Sequence, residues 1–414
     1  VLPAIIIWII SLASILCVLI RPRGVAEAWW ACGGALILVL LTLVSWREAG
    51  GAVWKGVDVY LFLTGMMILS ELAREEGVFD WIAEIAAAHA NGSTSRLFLL
   101  IYLAGIAVTT FLSNDATAVV LTPAVLTIVR RLKVDPVPHL LACAMIANAA
   151  SFVLPISNPA NLVIFGPAIP PLLKWLGLFL LPSIGSIGLT YLVLRLILRK
   201  GLAAKITHTL SGTRLAFEGR RALAGLIGAA LALIAASALG WPLGAPTCAA
   251  AVLATGAVAT RDRRLPLKVA KGVSWSVLPL VAGLFVLVEA LEKAGMLQLA
   301  VAGLHAAEKW SSVTANLVVG FFVGLLSNGM NNLPVGLISG TAVRSAHENG
   351  VLANAVLIGV DLGPNLSVTG SLATILWLIA LRRENVRITG WQFARIGLVA
   401  MPAALLGSLL LLRR

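Results

Sequence analysis

The 414-residue sequence is poor in charge: Asp, Glu, Lys and Arg make up 12% of it, against roughly 25% in soluble chains. It contains no long polar stretch from which a soluble domain could be built. Its four cysteines, Cys17, Cys32, Cys143 and Cys248, are scattered without CxxC spacing, so neither a disulfide framework nor a cysteine zinc site is encoded. The five histidines, His89, His139, His208, His305 and His347, show no HExxH or other ligand spacing, and no metal or cofactor is expected. A GxxxxGK[ST] phosphate loop is also missing, so the chain lacks that machinery for ATP hydrolysis and reads as a non-enzyme.

What is abundant is apolar. Hydrophobic residues reach 59%, and the mean hydropathy is +0.97. At about 20 residues per crossing this is material for ten or more membrane helices, and it excludes a water-soluble fold. The net charge of +13 collects in short loops between apolar runs, where it sets topology and meets anionic lipid; no nucleic-acid partner is expected. The first run, Pro3 to Ile20, has no basic stretch before it and no small-residue cleavage site after it, and reads as a retained helix. Most of the 12 Trp lie near span ends, as in an aromatic belt.

Apolar windows predict spans near 3–20, 26–46, 56–73, 138–173 and 175–199, then 221–240, 245–260, 272–291, 351–381 and 390–412. The stretches 138–173 and 351–381 are too long for one straight crossing and are interrupted at Ser157-Asn158-Pro159-Ala160-Asn161 and Gly363-Pro364-Asn365, so both are expected to be discontinuous helices. Each half holds one more apolar region split by a polar tip: 97–130 around Ser113-Asn114-Asp115-Ala116-Thr117, and 311–346 around Ser327 to Asn332. These read as re-entrant hairpins. Segments 74–95 and 293–310 read as amphipathic helices at the interface.

The halves echo one another: Gly65, Glu71 and Gly77 recur as Gly283, Glu289 and Gly295 at a constant spacing of 218 residues. The expected organisation is a first repeat over 1–199, a basic cytoplasmic linker over 200–220 and a second repeat over 221–414. With five crossings in each, the copies must be inverted, giving an all-α polytopic protein with an inverted-topology repeat. Clusters at Arg21/Arg23, Arg130/Arg131/Lys133, Arg199 to Arg221, Arg261 to Lys271 and Arg382/Arg383/Arg387 fall on one side if both termini are periplasmic; Arg413 and Arg414 run against this.

Helix breaks in hydrocarbon expose backbone groups at several kcal/mol each, so they persist only inside protein or around a wet cavity. Four breaks in mirrored positions therefore imply a site. Intramembrane acids sharpen it, because a carboxylate at mid-bilayer costs at least about 2.5 kcal/mol. Asp115 at the first tip is the first choice for a proton carrier, and Asp361, just before Gly363, the second. Glu71 and Glu289 lie toward span ends and read as structural or peripheral. Ser113, Asn114, Thr117, Asn158, Asn161, Ser327, Asn328, Asn331, Asn332, Asn365 and Thr369 are the expected lining.

The strings FLSNDATAVVLTPAVL (Phe111 to Leu126), ISNPANLVIFGP (Ile156 to Pro167), LLSNGMNNLP (Leu325 to Pro334) and GVDLGPNLSVTGSLATILWL (Gly359 to Leu378) resemble the ArsB family of arsenite/antimonite efflux permeases of the bacterial inner membrane, nearly end to end. The resemblance implies alternating access, with neutral As(III) and Sb(III) hydroxides leaving in exchange for protons, sometimes with a soluble ATPase docked on the cytoplasmic side. Tips of this kind are shared across the ion transporter superfamily, including sodium-coupled dicarboxylate carriers, where the SN tip and the Asn-Pro break hold a cation. Here the first tip reads SND in place of SNT, which suits a proton better than sodium. The threonine-proline signature for carboxylates is absent near Pro159. Sodium/proton or sodium/dicarboxylate carriage, or a channel subunit of an ATPase-driven pump, are the alternatives. A neutral trihydroxide asks for neutral donors and acceptors, which Asn, Ser and Thr supply.

Overall fold

The computed structural model describes residues 2–206, 214–260, 262–346 and 350–412. The first ten helices are α1 (Leu2–Ile20), α2 (Glu27–Leu40), α3 (Trp46–Lys55), α4 (Val57–Glu75), α5 (Val78–Ala88), α6 (Thr94–Phe111), α7 (Thr122–Arg131), α8 (Pro136–Ala149), α9 (Pro159–Phe165) and α10 (Leu172–Ile197). A second ten follow in the same order: α11 (Phe217–Ala238), α12 (Gly244–Ala259), α13 (Leu265–Gly272), α14 (Val277–Lys293), α15 (Met296–Glu308), α16 (Ser312–Met330), α17 (Asn332–Ser345), α18 (Val351–Leu362), α19 (Leu372–Arg383) and α20 (Gly390–Leu410).

The packing repeats as the order does. Helix α1 lies on α2 as α11 lies on α12, α6 on α8 as α16 on α18, and α10 meets its own counterpart α20. The copies also exchange partners, since α4 packs on α12 and α14 on α2. The echoed residues explain why. A Cβ on Gly65 would stand 2.6 Å from the Thr247 backbone, and one on Gly283 would stand 2.7 Å from the Ala31 backbone, so each glycine lets two backbones touch. Gly77 and Gly295 take positive φ, 69° and 97°, at the turns into α5 and α15. Ser93 and Ser311 cap α6 and α16 by accepting from the Arg96 and Thr314 amides. The arrangement is an inverted-topology repeat.

Among the described residues six helices, α1, α6, α10, α11, α16 and α20, are long and apolar enough to cross a membrane, and counting the bent pairs α3–α4 (49°) and α13–α14 (41°) makes eight. The chain is thus a multi-pass membrane protein. The stretches expected as ten spans all carry helix, but α2, with 14 residues, is only about 21 Å long against a hydrocarbon core of about 30 Å. Helices α3 and α13 occupy segments read from the sequence as loops. The Ser45–Glu48 capping box starts α3.

Both discontinuous helices are present: α8 and α9 are separated by a 3₁₀ turn at Pro155–Ser157, and α18 and α19 by 3₁₀ turns at Gly363–Asn365 and Val368–Gly370. Both hairpins pair an apolar first arm with a shorter return arm. In the first, α6 ends before Ser113 and a π-helical turn, Ala116–Leu121, leads into α7. In the second, Ser327 and Asn328 are still helical and the chain reverses at Asn331, φ 71°. The return arms are tied crosswise. Arg344 of α17 donates to the Ile164 carbonyl at 2.5 Å, at the end of α9; Arg130 of α7 donates to the carbonyl and carboxylate of Glu384, which caps α19. An arginine at a helix C-terminus satisfies orphan carbonyls and meets the negative dipole end. Of the expected linker, residues 202–206 run along the α5–α6 turn, with Ile206 donating to Gly92 and Thr94 to Ala204; residues 207–213 lie outside the described residues.

Candidate functional site

The polar residues singled out from the sequence separate into two groups. The first surrounds the break after α18. The Asn158 amide caps α9 by accepting from Ala160 and donates to Asp361 Oδ1 at 2.7 Å. Asn365 donates to the Met145 carbonyl and accepts from Asn148, each at 3.0 Å. Asn328 donates to the Gly363 carbonyl at 2.9 Å and accepts from Ser367 at 2.6 Å, while Thr369 donates to the Asn328 carbonyl. Asn331 caps α17 and reaches the Thr369 carbonyl. Asn158, Asn328 and Asn365 therefore converge on one short segment, Asp361 to Asn365. Asp361 is fully buried, and its Oδ2 has no hydrogen-bond partner among the described residues.

Three expected lining residues are spent on local structure. Thr117 bonds Thr109 at 2.8 Å. Asn161 donates to the carbonyls of Ser151, Leu154 and Pro155, closing the loop of the first break. Ser327 donates back to Val323 in its own helix. Asn332 is buried.

The second group surrounds Asp115. A cavity of about 90 Å³ is lined by Ser70 and Glu71 of α4, Ser113 and Asp115 of the first tip, Pro159 at the start of α9, the turn Gly272–Ser274 and Leu372 of α19. Asn114 is buried and accepts from the Asp115 amide. The cavity is thus lined by two carboxylates and three serines, and no asparagine lines it. Glu71, read from the sequence as structural or peripheral, is one of its walls and pairs with Arg74. Pro159 links the groups, since it borders the cavity while its neighbour Asn158 holds Asp361. Among the described residues no group of three His, Cys, Asp or Glu side chains could hold a metal ion; His208 and His347 lie outside them.

Asn158 carries two jobs, so Asn158→Ala is expected to lower thermal stability by about 1–3 kcal/mol, losing a cap and leaving a buried carboxyl oxygen unpaired. Asp361→Asn in the same chain should recover part of that loss, a coupling read by a double-mutant cycle of thermal unfolding in detergent.

A second, wider cavity of about 570 Å³ occupies the mirrored position, between Lys55, Asp58, Glu289, Glu292, Leu162 and Leu243 on some walls and Leu337, Thr341 and Arg344 of the second hairpin.

Comparison with known proteins places this geometry. A family model described as a citrate transporter matches residues 5–360. The "Arsenical pump membrane protein" of Escherichia coli is 29% identical over 411 residues, covering 94% of each chain. Its namesake in Yersinia enterocolitica is 29% identical over 92% of this chain and 91% of its own. The crystal structure of the Alcanivorax borkumensis YdaH transporter shares the fold, with a TM-score of 0.58 at 16% identity over 88% of this chain and 86% of that one. The likeness throughout is to membrane transporters and not to enzymes.

Proposed function

We propose, from the premise that this chain belongs to the citrate transporter family, that it is a secondary transporter exporting neutral As(III) and Sb(III) hydroxides in exchange for protons. The observation that carries this reading is the cavity at Asp115. A cavity of about 150 Å³ takes benzene, so about 90 Å³ suits a trihydroxide of four heavy atoms and is too small for citrate. Its charge argues the same way. Glu71 and Asp115 face it, and Arg74, the cation paired with Glu71, is shared with Glu75. A tricarboxylate would meet uncompensated negative charge. The wider cavity holds three acids, Asp58, Glu289 and Glu292, against two bases, and is no better suited to a trianion.

Hydroxyls of Ser70 and Ser113 can donate to and accept from a neutral hydroxide, and Asp115 can accept a proton as the cargo leaves. Asp361, with one oxygen bonded and one open, is the second proton position. Uphill export of a neutral solute needs a driving ion, and each proton contributes about 2.3 kcal/mol per 100 mV. In this reading residues 1–199 and 221–414 are the inverted repeats, joined by the cytoplasmic linker 200–220, and the termini face the periplasm across the inner membrane. A soluble ATPase, if one couples, docks on the side of the basic loops. The test is ligand-dependent stabilisation of purified protein: arsenite should raise the unfolding temperature, and sodium with succinate or citrate should not. Stabilisation by citrate alone would sink the proposal.

A further inference from the structure

The turns into α4 and α14 carry the same tripeptide, Lys55-Gly56-Val57 and Lys271-Gly272-Val273, two residues short of the 218-residue spacing of the other echoes. Lys55 of the first copy reaches Glu289 of the second at 2.6 Å. The mirror of that pair is Lys271 with Glu71, because Glu71 and Glu289 are themselves repeat-related. It is not formed. Glu71 is held instead by Arg74 of its own helix, and Lys271 is exposed and makes no ion pair among the described residues. The two turns are not superimposable, since Val57 opens α4 directly and α14 opens only at Val277, yet Lys271 stands beside Glu71. A Cβ on Gly272 would stand 1.5 Å from the Glu71 carboxylate, so the Glu71 side chain already lies against the turn that carries Lys271.

The cavities differ in the same sense as the pairs. Where Lys55 holds Glu289 the cavity measures about 570 Å³, and where Lys271 and Glu71 are apart it measures about 90 Å³. Each is bounded by the same parts: a Lys-Gly-Val turn or its flank, the repeat-related glutamate, the return region of one hairpin and a half-helix of the other copy. Glu71 can be released without stranding Arg74, because that guanidinium also bonds Glu75.

We propose that the turn lysines Lys55 and Lys271 are alternating cross-repeat partners of the repeat-related Glu289 and Glu71, so that the Lys271–Glu71 pair forms, and the Lys55–Glu289 pair opens, in the opposite state of the transporter. Two inverted copies of one unit have two equivalent arrangements, and the present structure occupies the one with the second hairpin's cavity open. The inference rests on the reading of the chain as a two-state transporter but not on the identity of its cargo. The competing account is a fixed asymmetry, in which Arg74 replaces Lys271 for good because the second copy has Glu292 at the matching position.

The experiment uses the full chain, purified in detergent, with its four cysteines replaced and one new thiol at Thr341→Cys, which lines the open cavity. Lys271→Gln should speed labelling of that thiol, because it weakens only the opposite state, and Lys55→Gln should slow it. A partly exposed ion pair shifts such a two-state ratio by about threefold to fivefold. Lys271→Arg should behave as the parent. Both lysines are exposed, so neither substitution threatens folding. Unchanged labelling in Lys271→Gln, or shifts in the same direction for both lysines, overturns the exchange. Labelling needs no cargo, so failure of arsenite to stabilise the parent protein overturns the proposed function and leaves this result standing.

Discussion

Asp115→Asn is expected to collapse proton-driven arsenite accumulation in everted vesicles to no accumulation, while the protein still folds. At 100 mV one coupled proton supports a concentration ratio of about 50-fold, so the difference is large even at a stoichiometry of one. The substitution keeps shape and volume, and among the described residues no ion pair depends on Asp115: its backbone amide bonds Asn114, and its side chain lines the cavity. A loss of coupling would therefore report the proton and not the fold. Accumulation at the parent rate would remove Asp115 from the mechanism and move the coupling to Asp361.

Gly65→Ala and Gly283→Ala are the second large effect, and they should be matched. In each, the new methyl would lie within 2.8 Å of the backbone of the facing helix, α12 or α2, which has no side chain to swing aside. Overpacking of this kind costs about 1–3 kcal/mol, and because the two contacts are mirror images the two losses should be alike. Gly228 is the control. It lies within α11 with nothing inside 4 Å of a Cβ, so Gly228→Ala should stabilise by roughly 0.5–1 kcal/mol through helix propensity alone. Unfolding temperatures in detergent, compared across the three variants, decide the matter. Two unequal losses would mean that the halves do not share one packing scheme.

The parts of the fold legible in the sequence are those set by local chemistry. The breaks stand at or beside Pro159 and the Gly363-Pro364 pair, whereas in the second tip Ser327 and Asn328 stay helical and the chain turns only at Asn331. The Gly65–Glu71–Gly77 echo is legible too, and its two glycines keep their roles in the second copy. Helices α3 and α13 were hidden because windows of hydropathy register only apolar runs, although Ser45 and Glu48 spell a capping box. The site was only half legible. An asparagine can serve a cavity or a backbone, and composition does not distinguish the two: Asn161 closes a loop and Asn365 bridges to Met145 because those carbonyls happen to be within reach. Glu71 was discounted for lying near a span end, yet the bend between α13 and α14 brings Gly272 against it and turns its carboxylate to the cavity shared with Asp115. That depends on a contact between the two halves, which no local pattern contains.

The mirrored arginines, Arg130 and Arg344, show the same limit. Read along the chain, each is one basic residue in a charged loop end. In three dimensions each joins a hairpin of one copy to the half-helix of the other, so the elements flanking the cavities are tied across the repeat.

The most direct measurement is arsenite uptake into everted vesicles carrying the parent protein, energised with a proton gradient in sodium-free buffer without ATP. The account predicts accumulation that an uncoupler abolishes and that replacing potassium by sodium does not change. Accumulation that survives the uncoupler but requires ATP and a second protein, or transport that requires sodium, would contradict it.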